Sequence, residues 1–223
     1  MEEFTVFINF KTYPQGTGER AVKLAQVIEE VSSQKKVAIV PIAQAVDLWR
    51  LKRTVKIPIW VEHVDPVLPG KTTGYVVLES VIEADASGAL INHSEHSLPP
   101  GAVKQILARV KNLKSTGQKF EVMVGAKTLG QLERLVKLKP DFLAYEIAPL
   151  IGGRVSITEA SPKSVKKAIE IAGETPLVVG AGVNRAEDLI KAKSLGARGV
   201  LIASAVVLAA DPREKLLELL RLF

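Results

Sequence analysis

The chain has 223 residues and no cysteine, so it is long enough for one large domain, while disulfides, thiolate zinc sites and cysteine nucleophiles are excluded. Its net charge is +6, and its lysines and arginines are interleaved with acidic residues. This distribution favours a solvated surface over a nucleic-acid interface, and the positive field would attract a small anion. No apolar stretch approaches the ~20 residues that cross a bilayer, and Met1-Glu2-Glu3-Phe4 is acidic where a secretory signal is basic, so we expect a cytoplasmic protein of one domain, residues 1–223, without membrane contact.

Short apolar runs alternate with amphipathic segments in the first half of the chain. The apolar runs predict four strands, at 4–8, 37–40, 57–61 and 88–91. The segments between them predict helices at 20–31, around 46–51 and near 76–84. After the fourth strand, the spacing of the apolar residues predicts a helix that is buried along one side. These residues are Val103, Ile106, Leu107, Val110 and Leu113.

The second half repeats this alternation with clearer helix starts. Its apolar runs predict strands at 120–124, 141–145, 176–179 and 199–202. Thr128 and Gln131 have the spacing of a capping box, and Asn184 and Glu187 are similarly spaced to begin a helix. An N-cap residue followed by proline at the first helical position occurs twice, at Ser161-Pro162 and at Asp211-Pro212, where the last helix begins and extends to Phe223.

Eight strand–helix pairs predict a parallel sheet covered by helices. Most of the strands are apolar on both faces, as in α/β proteins. A repeat of about 25 to 30 residues favours a closed (β/α)₈ TIM barrel over an open doubly wound sheet. The open sheet remains an alternative from the pattern alone, although the chain after the first strand, Asn9-Phe10-Lys11-Thr12-Tyr13, lacks the glycines of a dinucleotide-binding fingerprint.

Polar residues follow several predicted strands, at the end where a barrel places its active site. Asn9 and Lys11 come after the first strand, His93 after the fourth and Glu146 after the sixth. Singly, each has a structural explanation, as a turn former, a surface lysine, a capping histidine or the start of a solvated loop. Their joint position, which combines a cation, an imidazole and a carboxylate, favours a catalytic site.

Small residues follow the last two predicted strands. They are Gly180-Ala181-Gly182 and Ala203-Ser204-Ala205. Small side chains allow backbone N–H groups to approach an anion closely, and in a barrel these two loops commonly bind phosphate. The alternative is that these residues merely permit tight turns and close packing. The spacing favours the phosphate site.

Several motifs, distributed over the whole chain, carry a resemblance to a known family. They are Asn9-Phe10-Lys11, His63-Val64-Asp65-Pro66, Asn92-His93-Ser94-Glu95, Tyr145-Glu146, Leu150-Ile151-Gly152, Gly180-Ala181-Gly182 and Gly199-Val200-Leu201-Ile202-Ala203-Ser204. With them the chain resembles the triosephosphate isomerases, in the short form typical of archaea. The combination of the Asn-x-Lys and His-Ser-Glu elements is highly specific.

The resemblance implies a role for each matching residue. Glu146 would be the base and His93 the electrophile, while Lys11, Asn9 and Phe10 would bind the substrate. Glu95 would support the site as a neighbouring carboxylate. The substrate phosphate would be held by Ile151, Gly152, Gly182, Ala203 and Ser204, mainly through backbone groups. The reaction that this implies is the interconversion of an aldose and a ketose phosphate through an enediolate, without a cofactor or a metal.

The resemblance also implies a partner and a moving segment. The loop that contains Lys71-Thr72-Thr73-Gly74-Tyr75 would reach a neighbouring subunit, in a homotetramer rather than a homodimer. Residues 147–156 would form a lid that excludes water from the site. This lid departs from the archaeal pattern. Archaeal relatives usually have two prolines and an acid after the base and a later Gly-Thr-Gly, whereas this chain has Ile147-Ala148-Pro149 and Gly152-Gly153-Arg154.

Two further hypotheses remain at this stage. The altered lid motivates the first, a catalytically weakened paralogue that keeps phosphate binding and serves as an assembly or regulatory partner. The second is a different phosphate-binding barrel that handles a larger sugar phosphate. It has to treat the joint presence of Asn9, Lys11, His93 and Glu146 as coincidence.

Overall fold

Eight parallel strands close into a barrel, each pairing with its neighbours in sequence and the last pairing with the first. The structure is a computed structural model that describes residues 4–150, 153 and 155–223. Its strands are β1 (Thr5–Asn9), β2 (Ala38–Ala43), β3 (Trp60–Val61), β4 (Gly88–Ile91), β5 (Glu121–Ala126), β6 (Phe142–Tyr145), β7 (Leu177–Gly180) and β8 (Gly199–Ile202). The predicted (β/α)₈ barrel is confirmed and the open sheet is excluded, because β1 pairs with both β2 and β8.

Helices follow the strands and cover the barrel. They are α1 (Glu19–Lys35), α2 (Leu48–Lys52), α3 (Leu78–Glu83), α4 (Pro100–Ser115), α5 (Leu129–Leu135), α6 (Ile157–Ala160), α7 (Pro162–Ala172), α8 (Ala186–Leu195), α9 (Ser204–Val207) and α10 (Pro212–Leu219). Short 3₁₀ turns lie at Pro14–Gly16, Ala45–Asp47, Val136–Leu138 and Ala148–Leu150. Within the described ranges, no helix combines the length and the apolar character needed to cross a membrane.

The strands occur where the apolar runs predict them, and the largest shortfalls in length are those of β3 and the last helix. β3 contains only Trp60–Val61 instead of 57–61, and Pro58 within the predicted run has no N–H group to donate to a neighbouring strand. The last helix ends at Leu219 instead of continuing to Phe223. The chain turns there, and the ring of Phe223 packs against that of Phe4 at a centroid distance of 5.4 Å.

Helix caps confirm two of the predicted starts. The side chains of Thr128 and Asp211 each accept a hydrogen bond from the backbone N–H three residues later, at the beginnings of α5 and α10. Ser161 occupies the N-cap position of α7, as predicted, but its side chain donates to another serine, Ser164 (2.8 Å), and not to the helix backbone. These positions mark where the chain enters each helix after the loop that follows the preceding strand.

Large side chains fill the interior of the barrel below its carboxyl end. The rings of Phe7, Trp60 and Phe142 contact one another with centroids 5.1 to 5.7 Å apart. Gly88 leaves room for Trp60, because a Cβ atom there would lie 2.5 Å from the indole ring. The middle of the barrel is therefore a packed core and not a pore, and the clefts that contain predicted site residues lie at the carboxyl ends of the strands.

Candidate active site

One cleft at the carboxyl ends of the strands brings together most of the predicted site residues. Its lining includes Asn9, Lys11, His93, Glu146, Gly182, Ala203 and Ser204. Phe10 does not line this cleft, because its side chain is completely buried in the hydrophobic core. Ile151 and Gly152 lie outside the described residues. Residues that follow five strands, β1, β4, β6, β7 and β8, therefore meet in one place.

Asn9 and Lys11 are held together by the turn that follows β1. Lys11 has a φ of 48°, in the left-handed region that lysine rarely adopts. Asn9 is buried, and its side-chain oxygen accepts a hydrogen bond from the backbone N–H of Lys11 at 3.0 Å. The Lys11 Nζ atom lies 2.6 Å from Glu95 Oε1. A strained backbone that is stabilised by a buried asparagine thus directs an ammonium group into the cleft.

Asn92 stabilises the turn that presents His93. Its φ is 55°, which asparagine tolerates better than most residues. Its side-chain amide donates to the carbonyl of Gly125 at 2.8 Å, and its side-chain oxygen accepts from the N–H of Leu98 at 2.8 Å. The loop after β4 is therefore fixed both to β5 and to the approach to α4.

His93 has a defined hydrogen-bonding state. The backbone N–H of Glu95 donates to its Nδ1 atom at 3.2 Å, so Nδ1 is an acceptor and the proton of the imidazole lies on Nε2. Nε2 lies 3.0 Å from Oε2 of Glu146. Both side chains are buried, with about 8% of each exposed. The ring can therefore donate a hydrogen bond to an oxygen atom inside the cleft.

Glu146 follows β6 directly and is packed against β7. Its backbone N–H donates to the carbonyl of Ala126 at 3.1 Å. Gly180 lies beneath its carboxylate, where an added Cβ atom would be 2.5 Å from Glu146 Oε1. Only glycine at this position leaves the carboxylate in place, which explains the first glycine of the Gly180-Ala181-Gly182 motif.

The loops after β7 and β8 form the small-residue side of the cleft. Ala181 and Gly182 have φ values of 76° and 69°, and a Cβ atom at Gly182 would lie 2.0 Å from the carbonyl oxygen of Val155. Ala203 lies at the N-cap of α9, whose first N–H groups lack intrahelical acceptors. Backbone amides and the Lys11 ammonium therefore face a space that suits a small anion.

Asn184 lines the cleft in a role that differs from the predicted one. Its side-chain amide donates to the carbonyls of Gly182 (2.7 Å) and Gly153 (3.2 Å), which ties the loop after β7 to the predicted lid. The helix start predicted from Asn184 is wrong by one residue, because Arg185 holds the N-cap position. The carboxylate of Asp188 accepts from the backbone N–H groups of both Asn184 and Arg185, at 3.0 Å each, and so determines where α8 begins.

A second cleft adjoins the first and contains a carboxyl group that sequence reasoning missed. Its lining includes Asn9, Lys11, Glu62, His63, His93, Glu95 and His96. Glu62 comes directly after β3, so the strand-end argument that selected the other residues also applies to it. Burial raises the pKa of Glu62 to about 7, and the neighbouring carboxylate of Glu95 contributes in the same direction.

The two other histidines pack beside this second cleft. The rings of His63 and His96 stack with centroids 4.1 Å apart. Burial lowers the pKa of His63, although its Nε2 atom lies 3.1 Å from Oδ1 of Asp65. Asp65 also accepts a hydrogen bond from the N–H of Val76 at 2.7 Å, so this group stabilises the loop after β3.

Comparisons with known proteins agree on one family. A sequence model described as triosephosphate isomerase matches residues 4–222. The triosephosphate isomerase of Saccharolobus solfataricus is 38% identical over 216 residues, which cover 96% of this chain and 92% of the relative. Those of Methanobacterium bryantii and Methanobrevibacter smithii are 37% and 34% identical over 218 residues each, covering 96% of this chain and 94% and 96% of the relatives. The chain belongs to the triosephosphate isomerase family.

Proposed function

We propose that the protein interconverts D-glyceraldehyde 3-phosphate and dihydroxyacetone phosphate, a step of glycolysis and gluconeogenesis. The observation that carries this proposal is the pairing of a buried carboxylate with an imidazole that holds its proton on the facing nitrogen, Glu146 Oε2 and His93 Nε2 at 3.0 Å. The names of the relatives supply the substrate pair. The groups in the cleft are those that the reaction requires.

In the proposed mechanism, Glu146 moves the proton and His93 stabilises the charge. The carboxylate removes a proton from the carbon next to the carbonyl and returns it to the neighbouring carbon. The Nε2–H of His93 donates to the substrate oxygen on which negative charge develops, and the imidazole passes the hydroxyl proton from one substrate oxygen to the other, so that both protons of the isomerisation are accounted for. In the substrate-free protein the two side chains contact each other. A bound substrate would enter between them and so replace that contact. The proton transfer is redox-neutral, and the proposal includes no cofactor and no metal.

In the same proposal, Lys11 and the small-residue loops bind the anionic ends of the substrate. The Lys11 ammonium offsets the charge of the phosphate and of the enediolate, and Asn9 holds Lys11 in position. Glu95 pairs with Lys11 from outside the reacting atoms. The side chain of Phe10, between Asn9 and Lys11, is buried in the hydrophobic core. The phosphate is held through backbone groups of Gly182, Ala203 and Ser204 and of the lid residues Ile151 and Gly152.

An assay of triose-phosphate isomerisation, coupled to a dehydrogenase in each direction, tests the function. We expect turnover of both substrates in the presence of a chelator. If neither substrate turns over but an analogue of the enediolate such as 2-phosphoglycolate binds tightly, the protein is a weakened paralogue instead. A larger sugar phosphate that competes better than either triose phosphate would indicate a different barrel enzyme. No observation on the described residues favours either alternative.

Self-association, as a homotetramer rather than a homodimer, is part of the proposal. Val46 (78% exposed) and Tyr75 (54%) are large apolar side chains that line one groove between the loops after β2 and β3, and Trp49 and Leu68 are also exposed. We expect light scattering to give a mass about four times the 24.1 kDa of the chain. A mass equal to one chain would contradict self-association, and a mass of two chains would contradict the tetramer.

In this proposal residues 1–223 form a single catalytic domain, since the described elements from β1 to α10 build one barrel. It also assigns the protein to the cytoplasm, because triose phosphates are formed and consumed there by central metabolism. Recovery of the activity in the cytoplasmic fraction of the source cells tests this location.

A further inference from the structure

Glu62 is a half-buried residue of the active-site region whose carboxyl group the proposed mechanism does not use. Its backbone N–H donates to the carbonyl of Ala43 at 3.0 Å, which fixes the residue between the ends of β2 and β4. Its Oε1 atom is buried and has no hydrogen-bond partner among the described residues. A buried carboxyl oxygen without a partner is costly, so its presence in a cleft requires an explanation.

Charged and titratable groups face Glu62 from each neighbouring element. Lys11 follows β1, Asp47 follows β2, and His93 and Glu95 follow β4. His63 and His96 line the same cleft. Lys11 favours the ionised form of Glu62, and His93 would do so only with a charged imidazole, whereas Glu95 and Asp47 oppose it. The Lys11 ammonium is paired with Glu95 at 2.6 Å, and it lines the same cleft as Glu62, whose ionised form its charge favours.

We propose that Glu62 is a positioning residue of the active site, which as a neutral acid leaves the Lys11 ammonium to the substrate and as a carboxylate competes for it. This inference rests on the proposed function, in which Lys11 binds an anionic triose phosphate. An ionised Glu62 also adds a negative charge to a cleft that has to accept a phosphate and a developing enediolate. The proton that Glu62 loses goes to solvent, and no other reactant is needed.

The two forms interchange in the physiological range, because burial raises the pKa of Glu62 to about 7. Below that pH the acid is neutral and substrate binding is strong. Above it the carboxylate forms and KM rises, roughly tenfold for one added charge at a distance of several ångströms in a partly buried cleft. The substrate phosphate has a second pKa of ~6, so it becomes more negative mainly at pH values below those at which Glu62 ionises. Its ionisation affects KM in the parent and in any variant alike.

The test is Glu62→Gln, which keeps the shape of the side chain and cannot ionise. We expect KM of the parent to rise from about pH 6 to about pH 9 by roughly tenfold, and the rise to disappear in the variant while kcat changes little. Glu121→Gln is the matched control, because burial also raises the pKa of Glu121, which begins β5 at the opposite end of the barrel. This control should keep the pH profile of the parent. If Glu62→Gln also keeps it, the inference is wrong.

Two measurements separate this inference from the proposed function. If the parent lacks isomerase activity, the proposed function fails, and calorimetry of 2-phosphoglycolate binding tests Glu62 directly. Weaker binding above pH ~7 in the parent but not in Glu62→Gln supports the role, and equal pH dependence in both contradicts it. If the variant does not fold, the titration of the Glu62 carboxyl group in the parent, followed by ¹³C NMR, replaces the comparison with the variant. A midpoint near the ordinary ~4.3 of glutamate overturns the inference, and a midpoint near neutrality that moves when 2-phosphoglycolate binds supports it.

Discussion

Replacement of Glu146 by glutamine is expected to lower kcat by about 10²-fold or more, because the amide cannot accept a proton from carbon. Glutamine has almost the same shape, so it fits above Gly180, and its oxygen can still accept the hydrogen bond from Nε2 of His93. The fold and the anion-binding loops should therefore be preserved. The coupled assay in both directions measures the effect, and thermal unfolding shows whether the variant is folded.

The distribution of the loss between kcat and KM is as informative as its size. Glu146 acts on the carbon that loses its proton, so its removal should affect kcat strongly and KM little. Glu133→Gln is a matched control, since Glu133 is exposed on α5 and its replacement removes the same charge. A kcat of Glu146→Gln within a few-fold of the parent would show that another group is the base.

The fold was predictable because each local pattern agrees with the barrel. Strands buried on both faces appear as apolar runs, and the helices that cover them show a stripe with a period near 3.6 residues. Boundaries were less predictable where local chemistry decides them. Pro58 shortens β3, and the carboxylate of Asp188 sets the start of α8 one residue later than the spacing at Asn184 indicates.

Part of the site was predictable from strand ends alone. Asn9 and Glu146 follow apolar runs directly and His93 follows one after Asn92, and in a closed barrel the ends of β1, β4 and β6 open into the same cleft. Glu62 has the same position after β3 but was missed. A glutamate at a strand end resembles the start of a solvated loop, and its burial depends on groups after β1, β2 and β4 that only the folded chain brings together.

Backbone conformation is a second feature that the sequence does not reveal. Asparagine is known to tolerate positive φ, so the turn at Asn92 is compatible with its residue type. Nothing in the sequence marks Lys11 for a φ of 48°. That conformation follows from the fold, in which the buried side chain of Asn9 accepts the hydrogen bond of the Lys11 amide. The two residues of the Asn-x-Lys motif therefore act together, because the asparagine stabilises the backbone conformation of the lysine.

Replacement of Lys11 by methionine is expected to raise KM at least tenfold and to lower kcat by about 10²-fold, since the ammonium stabilises both the bound phosphate and the enediolate. Methionine is unbranched at Cβ, like lysine, so the cost of the left-handed backbone is similar in both proteins. The change thus removes a charge with little effect on the turn. Steady-state kinetics in the coupled assay measure both constants.

Lys23→Met is the matched control, because Lys23 is exposed on α1 and its loss changes the net charge by the same amount. If both variants lost activity equally, and the loss disappeared at high salt, a long-range field and not the position of Lys11 would be responsible.

The remaining alternative for Lys11→Met is that activity falls because Glu95 loses its partner. The Glu95 side chain is 54% exposed, so water can solvate its carboxylate once the ammonium at 2.6 Å is gone, and the cost should be small. The double variant Lys11→Met with Glu95→Gln separates the two explanations. If the unpaired carboxylate causes the loss, the second change restores kcat. If the ammonium acts on the substrate, as we propose, the double variant remains as slow as Lys11→Met.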